Sequence, residues 1–253
     1  MAPYLSDPLF YATAIPAVIF LGLAKGGLSG VGTAATPLMA LYLPPLEAAA
    51  LLLPILLTQD AISVYVYRRE WSAETLKIML PGGLLGILLG WLFAAYVSDD
   101  AIRILIGVVA LAFVLNVWLR RAPVQPRPQQ PARGVFWAAV SGFASFASQG
   151  GSPPYQVYML PLQLPKMVFV GTTTIFFACV NLMKVIPYMA LAQFSAPNIL
   201  TSVMLLPVAV VANFVGIWLI RAMPTKLFYQ ITYVLLFILG SVMLWQGVSH
   251  LVR

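Results

Sequence analysis

The chain of 253 residues is 61% apolar and 8% charged, with 14 Lys and Arg against 7 Asp and Glu and a single His. A soluble domain carries roughly a quarter charged residues, so this composition excludes a water-soluble globule, a disordered chain and a nucleic-acid binder despite a net charge of +7. The positive surplus reads as membrane topology, and the lone Cys179 excludes an internal disulfide or a paired-cysteine metal or redox site.

The first eight residues, Met-Ala-Pro-Tyr-Leu-Ser-Asp-Pro, hold no Lys or Arg and so lack the basic start of a secretory signal. The apolar stretch behind them is expected to be retained. A helix that crosses a bilayer needs about 20 largely apolar residues. Leu9–Leu43 is too long for one such helix, and Gly26–Thr33 interrupts it. Ala48–Tyr67 follows as a crossing that holds Asp60, then Ile78–Ser98 and Ala101–Leu119. The basic, Pro-rich segment Arg120–Arg133 reads as a linker. Beyond it Gly134–Leu164 is again overlong and is interrupted at Ser148–Pro154. Met167–Met189, which holds Lys184, Ala196–Ile220 and Leu227–Val252 complete the full crossings. Each interrupted stretch has room for a hairpin or for two short helices of about 15 to 17 residues.

The two interruptions belong to an internal repeat. Gly22-Leu23-Ala24-Lys25 aligns with Gly142-Phe143-Ala144-Ser145 at an offset of 120 residues, which also pairs Gly30 with Gly150 and Pro45 with Pro165. Later the offset becomes 126, pairing Pro81 with Pro207 and Gly90 with Gly216. Residues 1–119 therefore read as a first membrane repeat, 120–133 as a cytoplasmic linker and 134–253 as a second repeat. Basic residues in loop 68–77 and the linker lie two crossings apart, with Asp99 and Asp100 in the turn between them. In the second half the turn 192–197 is uncharged and 221–226 is basic, so corresponding loops face opposite sides. The expected fold is an all-α polytopic membrane protein of two inverted-topology repeats, each a Gly-broken hairpin or pair of short helices plus three transmembrane helices. Both termini are expected outside the cytoplasm of a bacterial-type inner membrane.

Irregular backbone inside a bilayer is tolerated only against protein or a water-filled cavity. Glycines there bare backbone N–H groups, and a helix that starts just after them points its positive dipole end at whatever fills the cavity. Two facing breaks of this kind would trap an anion. In the first break the candidate binding residues are Lys25, Gly26, Gly27, Ser29, Gly30 and Thr33. In the second they are Gln149, Gly150, Gly151, Ser152 and Tyr155, whose ring could cover an organic group or simply pack. The spacing Gly82-xxx-Gly86-xxx-Gly90 reads instead as helix packing.

Lys25, Asp60 and Lys184 are the charges inside apolar spans, and each must face the interior and find a partner or water. Asp60, beside Gln59 and on one face with Ser63, is a candidate proton carrier, with Gln59 grouped to it as an ion-coupling residue. Asn181 aligns closely with Asp60, and Thr174, Asn181 and Lys184 form a polar stripe at helical spacing. Lys184 reads as an anion contact, as an ion-pair partner of Asp60, or as a lysine that reaches toward the helix end. Lys25 lies beside the substrate or reaches an interface.

The run Gly22-Leu23-Ala24-Lys25-Gly26-Gly27-Leu28-Ser29-Gly30-Val31-Gly32, the Pro44-Pro45-Leu46-Glu47-Ala48 entry to the next helix, and the repetition after a basic loop resemble the TauE/SafE family. That family is also called the 4-toluene sulfonate uptake permease family. The resemblance extends from Pro8 to Val252, although Phe146 and Ala147 stand where the first repeat has glycines. It implies transport of a sulfur-containing anion such as sulfite, sulfoacetate or an aryl sulfonate, without fixing the direction. The expected protein is a secondary active transporter of a small organosulfonate or sulfur oxyanion, working by alternating access with the proton as coupling ion and without cofactor or metal. Its partners are the anion and the bilayer, and no oligomeric state is implied. An anion channel shares every residue argument. An intramembrane enzyme finds no nucleophile and base pair, because His250 stands at the end of the chain and no His-Glu-x-x-His motif occurs.

Overall fold

A computed structural model describes residues 7–28, 31–39, 42–43, 45–93, 98–119, 126–190 and 196–251. Every regular element among them is helical. Helix α1 (Pro8–Gly26) is followed by a 3₁₀ turn (Val31–Ala34) and a short α2 (Ala35–Met39), then by α3 (Pro45–Tyr67), α4 (Ala73–Phe93) and α5 (Asp99–Leu119). The second half runs α6 (Pro131–Ser148), α7 (Ser152–Met159) with a 3₁₀ turn (Leu160–Leu162), α8 (Lys166–Ala190), α9 (Ala196–Ala222) and α10 (Thr225–Leu251). Six of these helices, α1, α3, α4, α8, α9 and α10, are long and apolar enough to cross a membrane. Large apolar side chains such as Trp218, Trp245, Leu92 and Val211 stand exposed on them, as a lipid-facing surface requires.

The overlong stretches are hairpins with unequal arms, which differs from two short helices of similar length. The long arms are α1 and α6, of 19 and 18 residues, and the return arms are the short elements behind the breaks. Local chemistry sets the turning points. Asp7 caps α1 by accepting from the Leu9 N–H at 2.8 Å, Pro8 supplies a preset first turn, and Gly27 stops the helix at φ +133°. At that φ a side chain is strained, so glycine is needed. Helix α6 also starts on a proline, Pro131, but stops on the left-handed Gln149 at φ 57°.

Each hairpin enters and leaves at one end of the bundle. The Tyr42 hydroxyl donates to Asp7 at 2.6 Å and its ring meets Phe10, so the mouth of the first hairpin is closed there. These bonds, the Tyr42 one foremost, hold the Asp7 carboxyl below its ordinary range. The second hairpin closes through the Arg127 N–H, which donates to the Pro161 carbonyl at 3.0 Å. Its mouth lies beside the start of α4, where Gln129 donates to Thr75, and Ser72 N–H in turn reaches Thr172 on α8. Because α3 separates the Tyr42 region from Ser72, the two mouths lie at opposite ends.

Helix α4 begins at Ala73, earlier than the predicted Ile78. The Ser72 hydroxyl accepts from the Thr75 N–H, Glu74 sits in the first turn, and Lys77 falls inside the helix. The basic loop thus shrinks to residues 68–72.

Glycines let α4 lie against α6 and α1 against α9 with backbones nearly touching. A Cβ on Gly86 would stand 2.0 Å from the Ala139 carbonyl oxygen, and one on Gly26 would stand 2.4 Å from the Gly216 backbone. Gly82 comes similarly close to the Val135 carbonyl, and Gly90 makes room for the Phe146 side chain, so the predicted glycine stripe is a packing seam. Gly86→Ala is expected to destabilise the protein by about 1–3 kcal/mol through overpacking. A thermal melt of the detergent-solubilised chain should show a drop of several degrees, whereas Leu84→Ala on the exposed side of the same helix should leave the midpoint nearly unchanged.

Candidate functional site

The ends of α1 and α6 leave carbonyls without intrahelical partners, and inside an apolar bundle those must be satisfied by side chains. Helices α3 and α8 supply them. The Tyr67 hydroxyl donates to the Gly26 carbonyl at 2.6 Å and Ser63 to the Lys25 carbonyl at 3.0 Å. In the second half the Tyr188 hydroxyl donates to the Phe146 carbonyl at 3.2 Å and Lys184 to the Ser145 carbonyl at 3.3 Å. Tyr67 and Tyr188, like Ser63 and Lys184, stand 121 residues apart, one more than the offset of 120 that pairs Lys25 with Ser145, so a similar contact pattern occurs in both halves with different side chains.

Where α3 and α8 meet, the Asn181 amide donates to Asp60 Oδ2 at 2.7 Å. The other carboxylate oxygen pairs with Lys25 Nζ at 2.5 Å, and Lys25 also stands over the Phe177 ring at 5.9 Å. Asp60 and Asn181 are 3% exposed, so this cluster is shielded from solvent. Asp60 lies near the middle of α3.

A cavity of about 80 Å³ opens beside the ion pair, enough for several waters or one small oxyanion. The first hairpin gives it Lys25, Gly27 and Gly32, and the second gives it Ser145, Gln149 and Ser152. Helix α8 forms the floor with Thr173, Thr174, Phe177 and Asn181, while Leu21, Leu56 and Val170 add an apolar wall. Two lysines and one carboxylate in this region leave a formal surplus of one positive charge.

The sequence candidates separate into several groups. Lys25, Gly27, Gln149, Ser152 and Asn181 line the cavity. Gly26 is buried against α9, and Gly150 and Gly151 are buried in the second break, where the Gly151 carbonyl accepts from Ser141 at 2.7 Å. Ser29 and Gly30 lie outside the described residues, as does the side chain of Thr33.

Tyr155 is fully buried and stacks on Phe176, with ring centroids 4.8 Å apart, so it packs and does not face the cavity. Lys184 contacts neither the cavity nor Asp60. Its ammonium is spent on Ser145 and on Gln149 Oε1 at 2.6 Å, and the partner of Asp60 is Lys25 instead. Gln59 points away as well, donating to the Ala209 carbonyl of α9 at 3.1 Å.

The expected pair of helix N-termini is also weaker than two full dipole ends. The first return arm opens as a 3₁₀ turn and a helix of five residues, and the second carries Pro153 and Pro154, which have no N–H. Side chains therefore supply most of the polar lining.

The site residues that escaped the sequence reading are Ser145, Thr173, Phe177 and Asn213. Ser145 had a signal, since it aligns with Lys25. Asn213 joins α9 to α3 by accepting from Ser63 at 3.1 Å and donating to the Gln59 carbonyl, and no charge marks its span. Among the described residues no group of His, Cys, Asp and Glu is placed to hold a metal.

Removing the hydroxyls that serve the helix ends should cost stability. Tyr67→Phe leaves a buried carbonyl unpaired at an expected cost of about 1–3 kcal/mol. Tyr188→Phe should cost less, because its bond is longer. Thermal melts of the two variants check the order.

A family model described as sulfite exporter TauE/SafE matches residues 14–243. No curated protein and no solved structure matches the chain.

Proposed function

The chain belongs to the TauE/SafE sulfite exporter family and is a membrane transporter, and on that premise we propose that it carries a small organosulfonate or sulfur oxyanion by alternating access, coupled to protons. The observation that carries this reading is the cavity between the two breaks, which holds Lys25 beside the ends of both hairpins and next to Asp60. An anion entering there meets the Lys25 ammonium, the Gln149, Ser152 and Asn181 side chains, and an apolar wall able to take an organic group.

Charge balance supplies the coupling. A buried charge is costly without a partner. When the anion takes Lys25 as its counter-ion, Asp60 loses its cation and takes a proton in its place. When the anion leaves, Asp60 releases the proton and pairs with Lys25 again. Anion and proton thus move in fixed relation, and the site never holds an uncompensated carboxylate.

The two halves act as inverted-topology repeats in this proposal. Support comes from the two hairpin mouths at opposite ends and from the repeated contacts of Tyr67 and Tyr188. Rocking one repeat against the other would open the cavity to alternate sides. The end that gathers Arg68, Arg69, Arg127, Arg133, Arg221 and Lys226 faces the cytoplasm by the positive-inside rule, in an inner membrane with both termini outside.

Reconstituted protein should accumulate sulfite or sulfoacetate in vesicles, saturably and in response to an imposed pH gradient. Lys25→Gln should abolish accumulation. Asp60→Asn should leave exchange of anion for anion while removing its dependence on the gradient. Non-saturable flux insensitive to the gradient would identify a channel, and unchanged proton dependence in Asp60→Asn would sink the coupling role.

A further inference from the structure

We infer that Lys184 is a positioning residue which acts through Gln149: it fixes the side-chain amide so that Nε2 faces the cavity as a donor to anions. The inference rests on the cavity being the substrate site and adds a specificity determinant to it. Lys184 is fully buried, and its Nζ stands 2.6 Å from Gln149 Oε1, 3.1 Å from Ser145 Oγ and 3.3 Å from the Ser145 carbonyl. An ammonium has three donors and no acceptor. The reversed amide would set its NH₂ against those donors, so the carbonyl must face the lysine. The Nε2 group is then turned away from Lys184, and it is buried with no hydrogen-bond partner. Gln149 lines the cavity.

Backbone strain points the same way. Gln149 holds φ 57°, where glycine would be easier, and a strained non-glycine residue at a cavity marks a place where the side chain itself is needed. A donor with nothing to donate to is costly until an acceptor arrives. An oxyanion offers only acceptors toward it, so the arrangement favours anions over ligands that present N–H groups.

The test is titration of the purified, full-length protein with sulfite and with methanesulfonate, read as binding affinity, with thermal melts of the unliganded variants. Gln149→Gly relieves the backbone strain, so its unliganded midpoint should match or exceed that of the wild type while its affinity falls about tenfold or more. Lys184→Met should weaken binding similarly because the amide is free to turn. Lys184→Gln keeps a donor for Gln149 Oε1 without the charge and should restore binding close to the wild type. In the double variant, Lys184→Met should add no further loss to Gln149→Gly.

Full affinity in Gln149→Gly, or an equal additional loss from Lys184→Met in that background, would overturn the inference by showing the amide idle or the lysine charge acting directly. Should Lys184→Met fail to fold, the affinities of Gln149→Gly and Lys184→Gln decide, and a Lys184→Gln variant as weak as Gln149→Gly refutes positioning. A wild-type protein that binds neither anion overturns the reading of the cavity itself, and this inference with it.

Discussion

The ends of α1 and α6 stop inside an apolar bundle, where water is scarce and backbone carbonyls still need donors. Tyr67 and Ser63 serve one helix end, and Tyr188 and Lys184 serve the other. Much of the site depends on these bonds. They let the chain turn back within the bundle and set the distance between each break and the helix that faces it, while the Asn181 amide joins α8 to α3 at Asp60. Without them the breaks would have to reach the surface, and the cavity between them would have no walls.

The same scaffold carries unlike chemistry in its two halves. Lys25 corresponds to Ser145 at an offset of 120 residues, and Ser63 stands against Lys184 and Asp60 against Asn181 at 121. A lysine therefore stands at this contact in each half, but on opposite partners: on the broken helix in the first half and on the facing helix in the second. Lys25 reaches a carboxylate and the cavity, whereas Lys184 is enclosed by neutral oxygens. The site is thus unlike in its two halves, with the Asp60 carboxylate in one half only.

Much of the architecture was legible because a bilayer constrains length and polarity so strongly. The long apolar helices, both interruptions and the packing role of Gly82, Gly86 and Gly90 follow from residue counts and spacing. The unequal hairpin arms did not follow, since the Gly27 dihedral and the Ser72 cap act over single residues. The site was harder to read. Lys25 and Asp60 were singled out as buried charges, yet their pairing joins different helices, and periodicity within one helix carries no sign of it. Gln59 adjoins Asp60 in sequence but leaves α3 on the side toward α9, because neighbours along a helix point about 100° apart. Of the readings open for Lys184, the ion pair with Asp60 is not formed, because its surroundings are set by Ser145 on α6 and Gln149 in the break behind it.

One seam breaks the correspondence in steric terms. Gly26 meets Gly216 backbone to backbone, while at the matching place the Phe146 ring presses on Gly90. In the proposed rocking carrier, two identical halves would give two open forms of equal free energy. An aromatic side chain at one of these seams and bare peptide at the other would remove that equality, so the resting orientation of the empty carrier would be biased by packing and not by the ligand.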